Sequence, residues 1–159
     1  MKKGIKILLI VIISLAALVA LIIGGYNAYL RIAFRDFYSA AEAHGNVPGI
    51  ADGFIHQGIS YLPDSGEFIA CGYMNDGSAS RIYIFNESGE RYVTLNGEDG
   101  KPTDTHTGGL SYWAGFVFLT DGDRILVYDL SSIQSKSKES GSVTPIAAFD
   151  VNLKASFCY

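Results

Sequence analysis

The sequence is poor in the residues and motifs that indicate a particular chemistry. It has two cysteines, three histidines and one tryptophan among its 159 residues. It contains no G-x-S-x-G element and no reactive-thiol motif, so it does not indicate a nucleophilic hydrolase. Gly53, Gly58, Gly108 and Gly109 have no phosphate-loop lysine motif near them and are typical of turns and strand entries. The sequence therefore assigns no catalytic residue, identifies neither a cofactor nor a metal, and favours a non-enzyme over an enzyme.

Basic residues are scarce outside the first part of the chain. Five of the 12 lysines and arginines precede Asp36, whereas all 16 acidic residues lie at or after it. An acidic body of this kind repels the phosphates of nucleic acids, and binding them would need a concentrated basic patch. The sequence shows none, so we expect no nucleic-acid partner.

A long apolar run lies close to the N-terminus. Ile7 to Gly25 is 19 residues long, with Ser14 as its only polar side chain. At about 1.5 Å per residue it spans a hydrocarbon core of ~30 Å. Lys2, Lys3 and Lys6 precede it, and the positive-inside tendency favours a cytoplasmic N-terminus. The prediction is a basic cytoplasmic end over residues 1–6 and a single-pass cell-membrane anchor over residues 7–25. The rest of the chain is expected to be extracytoplasmic, with the lipid bilayer as the first partner.

A cleaved signal peptide is the alternative for the same segment. Its apolar region is usually ~7 to 15 residues long and ends in an A-x-A-like site. The run here is longer and no such site follows it, while the first cysteine, Cys71, is too distant for lipoprotein processing. We therefore favour an uncleaved signal anchor.

Residues 26–48 are predicted to form a juxtamembrane helix and linker. Apolar side chains from Tyr26 to Ala41 keep the i, i+3, i+4, i+7 spacing of one helical face, so the helix is expected to continue to about Ala43. Gly45 and Pro48 are expected to end it. A membrane-edge anchor is the favoured role, and a stalk or a dimerising helix is the alternative.

A four-residue pattern occurs three times in the remaining sequence. It appears as Gly58-Ile59-Ser60-Tyr61, as Gly109-Leu110-Ser111-Tyr112 and as Ser156-Phe157-Cys158-Tyr159. A period of about 50 residues is typical of repeated supersecondary units, each of which buries its apolar face against a neighbour. Residues 49–159 are therefore predicted to hold two complete units and the first strand of a third.

Each complete unit contains four predicted strands separated by turn-forming residues. The strands of the first unit are Gly58–Leu62, Phe68–Tyr73, Arg81–Phe85 and Arg91–Leu95. Those of the second are Gly109–Trp113, Phe116–Thr120, Arg124–Asp129 and Ile146–Asp150. Two further matches join the units, Phe68-Ile69-Ala70 with Phe116-Val117-Phe118, and Arg81 to Asn86 with Arg124 to Asp129. The polar segment from Ser131 to Ser142 is predicted to be a flexible surface loop.

Four-stranded units of ~40 to 50 residues have the dimensions of β-propeller blades, of which four to eight typically surround a central channel. On this pattern and spacing, residues from about Asp52 to Tyr159 resemble the extracytoplasmic propeller superfamily of NHL, gluconolactonase-like and strictosidine-synthase-like proteins. The resemblance implies an all-β fold, a partial propeller of two blades plus the first strand of a third, after a transmembrane helix. Because two blades cannot close a ring, it also implies an N-terminal fragment, with assembly of several copies as the alternative. A self-contained β-sandwich is the competing fold.

His56 and His106 are the first candidate ligand-binding residues, since each precedes the first strand of its unit. In a propeller that position opens toward the central channel, and neutral imidazole is a common ligand. Asp52 and Asp104 stand just upstream and are candidates to orient the histidines, although turn formation explains both equally well. Gln57 stands where the gluconolactonase-like branch has a metal-binding Glu, so the resemblance to a metal-dependent lactonase is weakest at that residue. The alternative for each histidine is a hydrogen bond within its own loop.

Two rarer residue types add less. Cys71 and Cys158 are predicted on strands of different units, and a disulfide needs Cα atoms within about 7 Å, so small buried residues are favoured over a bridge. Trp113 is predicted to be a core residue, with a channel-lining role as the alternative.

Two functions follow from these features. The favoured one is a membrane-anchored extracytoplasmic propeller that acts as a binding or interaction module for a small molecule, a glycan or another envelope protein. The alternative is a propeller hydrolase or lyase, lactonase-like, with its site at the mouth of the central channel.

Overall fold

Two units make up the chain, residues 1–43 and residues 44–159. The structure is a computed structural model, and it describes residues 3–41, 46–152 and 154. Three predicted features lie outside the described residues: the end of the helix near Ala43, the stop at Gly45, and the third copy of the pattern over residues 156–159, which includes Cys158.

The first unit is helical. Its helix α1 covers Lys3–Ala33, and by its length of 31 residues and its apolar composition it could cross a membrane. This helix contains the whole predicted anchor, so the candidate membrane span is observed where the sequence places it. A second helix, α2, covers Arg35–Ala40. The predicted continuous helix is interrupted at Phe34, whose φ of −114° and ψ of 34° depart from helical geometry, and α2 ends before Ala41, which is extended.

The second unit contains two β-sheets. The first sheet consists of β1 (Phe54–Leu62), β2 (Glu67–Met74), β3 (Arg81–Asn86), β4 (Gly89–Leu95) and the short β8 (Ser142–Val143), in that spatial order. The second sheet consists of β5 (Thr107–Trp113), β6 (Phe116–Asp121), β7 (Arg124–Asp129) and β9 (Ala147–Asp150). Neighbouring strands are antiparallel except β4 and β8, which are parallel. All eight predicted strands are present, so the prediction of a mainly β domain after an apolar helix is confirmed.

The polar segment after β7 is ordered, and its prediction as a flexible loop is wrong. It forms the helix α3 (Leu130–Ser137) and then β8. The carboxylate of Asp129 accepts a hydrogen bond of 2.8 Å from the backbone N–H of Ser132, which is the preferred cap for a helix N-terminus. Ile133 is fully buried and Leu130 packs against the same cluster, so two apolar side chains anchor this otherwise polar helix.

A buried ion pair attaches α3 to the first sheet. Arg91 on β4 donates to both carboxylate oxygens of Glu67, at 2.7 and 3.1 Å, and its Nε donates to the hydroxyl of Ser137 at 3.1 Å. The hydrogen bonds from this guanidinium lower the pKa of Glu67 below its ordinary value. The helix that follows the second sheet's third strand is therefore fixed to the first sheet.

Two apolar clusters occupy opposite faces of the first sheet. The cluster between the sheets takes alternate residues of β2 to β4 from one side, alternate residues of β5 to β7 from the other, and Ile133 and Val143. The second cluster lies on the other face of the first sheet. Its members are Phe54, Ala70, Met74, Tyr83 and Phe85, with Phe68 and Tyr92 packed against them.

The strand registers of the two sheets correspond. In the first sheet Ile59 pairs with Ala70 and Ala70 with Tyr83, whereas in the second Leu110 pairs with Leu119 and Leu119 with Leu126. Side chains paired across neighbouring strands form a row. In the next row on the same face, Tyr61, Phe68 and Phe85 correspond to Tyr112, Val117 and Tyr128. An irregularity interrupts each first hairpin at the same place, after His56 and after Thr107. The register agrees with two of the sequence matches and shifts the third by one residue, because Phe68 corresponds to Val117 and not to Phe116.

Corresponding faces of the two sheets do not meet. The row Leu110, Leu119 and Leu126 belongs to the cluster between the sheets, yet its counterparts Ala70 and Tyr83 belong to the cluster on the far side of the first sheet. The front of the second sheet therefore packs on the back of the first. The edge strands β1 and β5 lie side by side, so closely that a Cβ added at Gly58 would come within 2.5 Å of the backbone nitrogen of Leu110.

Candidate ligand-binding face

The face of the first sheet that points away from the second sheet is called the front face below. It is defined by residues of four strands: His56, Ile59, Tyr61, Phe68, Arg81, Tyr83, Phe85 and Tyr92. Tyr83 and Phe85 are buried, and the other six are exposed or half-buried. The rings of Tyr61, Phe68 and Phe85 follow one another at centroid separations of 5.2 and 5.7 Å. Ile59 and Tyr61 remain 56% and 51% exposed. The face therefore presents an aromatic surface with accessible apolar residues at the β1 edge.

His56 is part of this face. Its Nε2 donates a hydrogen bond of 2.9 Å to the carbonyl oxygen of Pro48, because a carbonyl can only accept. Its ring also packs edge-on against Phe54, with 4.5 Å between centroids. Burial lowers the pKa of His56, and the hydrogen bond to Pro48 opposes part of that effect. The observed geometry agrees with the alternative interpretation of His56, in which the ring makes a hydrogen bond within its own loop region.

His106 lies on the opposite face of the first sheet. Its ring stacks on Tyr73 with 3.9 Å between centroids, and Tyr73 alternates along β2 with Gly72 and Met74, which point to the front. In the strand register Thr107 corresponds to His56, since Thr107 pairs with Asp121 as His56 pairs with Gly72. The prediction that the two histidines occupy matching positions is therefore wrong, because the extra residue in the second irregularity shifts the sequence match by one.

The remaining predicted site residues are not brought together. Gln57 is exposed at the irregularity of β1, Asp52 is exposed in the short 3-10 turn Ile50–Asp52, and Asp104 is exposed before β5. Within residues 3–41, 46–152 and 154, no three His, Cys, Asp or Glu side chains are grouped closely enough to hold a metal ion. The five candidates therefore remain separate predictions, and only His56 shares a surface with other polar groups.

Arg81 is the functional candidate that the sequence did not indicate. It lies in the same row as His56, with Gly72 between them, and its guanidinium carbon is 4.3 Å from the centroid of the Tyr92 ring. Its NH1 donates to the hydroxyl of Tyr83 at 3.0 Å. An arginine at the first position of a strand is unremarkable in a sequence, and only the sheet register shows which side chains surround it.

Two other predictions are decided by burial. Trp113 is 71% exposed and is not a core residue, because it ends β5 at the rim of the second sheet. Cys71 is buried, and its thiol donates to the carbonyl of Thr107 at 3.7 Å, in agreement with a small buried residue. Whether it pairs with Cys158 remains a prediction.

Comparison with known proteins does not assign the chain to a family. A scan against protein-family models found no match, and searches of the curated proteins and of the solved structures found none either.

The lowered pKa of His56 gives a prediction for stability against pH. The unfolded chain takes up a proton near pH 6.5, whereas the folded state resists protonation to a lower pH. The contribution of His56 is therefore complete above about pH 6.5 and is lost as the pH falls through the lowered folded-state pKa. We expect His56→Gln, which can keep the bond to Pro48, to flatten this part of the profile. Thermal unfolding of the full-length protein in mild detergent between pH 7.5 and 4.5 measures it, and an identical acid limb in both proteins contradicts the prediction.

Proposed function

We propose that the protein is a membrane-anchored, extracytoplasmic interaction module that binds its partner through the front face of the first sheet. In this proposal the two sheets are neighbouring blades of a β-propeller. The observation that carries it is the front-to-back packing of the sheets, which covers the front of the second sheet and leaves the front of the first partly open.

The packing favours a propeller over a β-sandwich. Two sheets related by a two-fold axis would bring corresponding faces together. Here Leu110 and Ile59 occupy corresponding positions, yet Leu110 points toward the first sheet whereas Ile59 points away from the second. Repeating a front-to-back step gives a series of sheets around an axis, with the first strands innermost. The contact of β1 with β5 at Gly58 agrees with that arrangement.

The exposure of the front face supports binding. Its counterpart on the second sheet is covered by protein, and there Leu110 is 5% exposed and Tyr112 is half-buried. On the first sheet the corresponding β1 residues Ile59 and Tyr61 are more than half exposed. Apolar side chains exposed as a group, next to aromatic rings and an arginine, are typical of interaction surfaces. The hydrolase or lyase alternative gains no support, since His56 and His106 contact opposite faces.

Site-specific photo-crosslinking in the native membrane tests this function. A photoreactive amino acid at Tyr61 of the full-length protein is expected to give one discrete adduct on irradiation, because this residue stands in the proposed interface. The matched control is the same amino acid at Glu87, which is also exposed and lies at the turn between β3 and β4, away from the front face. Equal adduct formation from the two positions, or none from Tyr61, contradicts the proposal.

A further inference from the structure

Arg81 is a half-buried cation with no carboxylate in direct contact. The exposed carboxylate of Asp76 interacts with its charge at longer range. Its Nε is buried and has no hydrogen-bond partner among the described residues. Its polar contact is the hydroxyl of Tyr83, and the ion pairs of the described chain do not include it. Burying a guanidinium costs free energy that only an anion or several hydrogen-bond acceptors offset. The side chain therefore retains binding capacity that the described protein does not use.

The corresponding residue of the second sheet has the carboxylate contacts that Arg81 lacks. Arg124 pairs with Asp121 in the strand register as Arg81 pairs with Gly72. Its NH2 contacts the carboxylate of Glu98 at 2.5 Å, and its Nε contacts Asp150 at 3.1 Å. Glu98 belongs to the connection that leaves the first sheet, so the sheet that covers this front face also supplies one of the carboxylates.

The register shows why Arg81 has no such partner. Thr94 pairs with Arg81 at the position where Asp150 pairs with Arg124, so a hydroxyl-bearing residue replaces a carboxylate. No described residue corresponds to Glu98, because no described sheet covers the front of the first one. One arginine position thus occurs twice in the same geometry, once in direct contact with two carboxylates and once with no carboxylate in direct contact.

We propose that Arg81 is the receptor for a carboxylate on the ligand of the front face, and that the ligand carries this carboxylate on an apolar body. The planar guanidinium can receive both carboxylate oxygens, and the Tyr92 ring against which it packs keeps it in position. Tyr92 on the neighbouring strand and Ile59 on β1, two strands away, both lie in the adjoining row and offer an apolar surface to the rest of the ligand. This inference rests on the proposed function, since it identifies the chemistry recognised by the same face.

Benzoate and benzamide form a matched pair of probes, because they share shape and ring but only benzoate is charged. Ligand-observed NMR titration of the full-length protein in nanodiscs is expected to show saturable benzoate binding that is at least about tenfold tighter than benzamide binding. Arg81→Gln should weaken benzoate binding about tenfold, and Arg81→Lys should retain part of it, since the charge remains without the planar fork. Arg124→Gln is the control and should leave benzoate binding unchanged. Circular dichroism of each variant establishes that the fold is kept.

Equal affinity for the two probes, or undiminished benzoate binding by Arg81→Gln, overturns the inference. Those results would leave the photo-crosslinking test of the front face unaffected, so failure of this inference and failure of the proposed function are distinguishable. Sedimentation of the wild-type and Arg81→Gln proteins in detergent identifies the source of the carboxylate. Dissociation of an oligomer by the substitution assigns it to a second copy of the chain, whereas monomers in both cases, together with benzoate binding, assign it to a separate molecule.

Discussion

Replacing Gly58 with alanine is expected to lower the free energy of unfolding of the β domain by about 2 to 3 kcal/mol. The new Cβ would stand 2.5 Å from the nitrogen of Leu110 and 2.9 Å from the carbonyl carbon of Gly109. These are backbone atoms of β5, so no side-chain rotation relieves the overlap. The edge strands β1 and β5 must separate, and the apolar contacts between the sheets weaken with them. Denaturant unfolding of the full-length protein in detergent, followed by near-ultraviolet circular dichroism, measures the effect.

Gly97 provides a matched control for this substitution. A Cβ at Gly97 would lie 3.3 Å from the side-chain oxygen of Asp99, which is exposed and can move, and at an ordinary contact distance of 3.9 Å from the carbonyl oxygen of Lys101. Gly97→Ala should therefore change the free energy of unfolding by less than about 0.5 kcal/mol. If Gly58→Ala is tolerated as well as Gly97→Ala, the close approach of β1 and β5 is incorrect, and the front-to-back packing loses its support.

Replacing Ile133 with alanine is expected to cost between about 2 and 5 kcal/mol of the same free energy, because a fully buried side chain leaves a cavity in the cluster between the sheets. The loss should include the attachment of α3, which holds β8 against β4. Hydrogen exchange should therefore accelerate at Thr94 and Asn96, whose backbone N–H groups donate to the carbonyl oxygens of Gly141 and Val143.

Ser135→Ala is the control on the same helix, since Ser135 is exposed. It should leave both stability and exchange close to the wild-type values, within about 0.5 kcal/mol. An equally small effect of Ile133→Ala would mean that the segment after β7 is a surface loop after all, as its composition alone predicts.

The strands could be predicted from the sequence because their signals are local. Apolar runs separated by Asn, Asp, Ser and Gly indicate all eight strands. The structure extends β1 by four residues toward Phe54, and the ends of the other seven agree with the prediction within two residues. α3 was missed because its stability depends on two apolar residues, Leu130 and Ile133, and on contacts with a distant strand, and these are not evident from its polar composition. A signal was present in Asp129 followed by Ser131 and Ser132, the pattern of an N-terminal cap.

The site was harder to predict than the fold because it depends on register. The sequence match aligned His56 with His106. The irregularity of β5 contains one residue more than that of β1, so His106 is displaced by one position along the chain and lies on the other face. Arg81 was visible in the sequence only as the start of a strand. Its lack of a carboxylate in direct contact becomes apparent when Thr94 and Asp150 are compared across the two sheets, and that comparison needs the pairing of strands that lie far apart in the chain.

The parallel pairing of β8 with β4 has a consequence for synthesis of the chain. β4 ends at Leu95, yet β8, the strand that pairs with its outer edge, begins only at Ser142. During synthesis, β5, β6, β7 and α3 are therefore made before the outer edge of β4 acquires its strand partner. An uncovered strand edge on a nascent chain is a template for pairing with the wrong segment or with another chain. The first sheet is therefore completed late, and chains interrupted between residues 96 and 141 should be the ones most prone to aggregate.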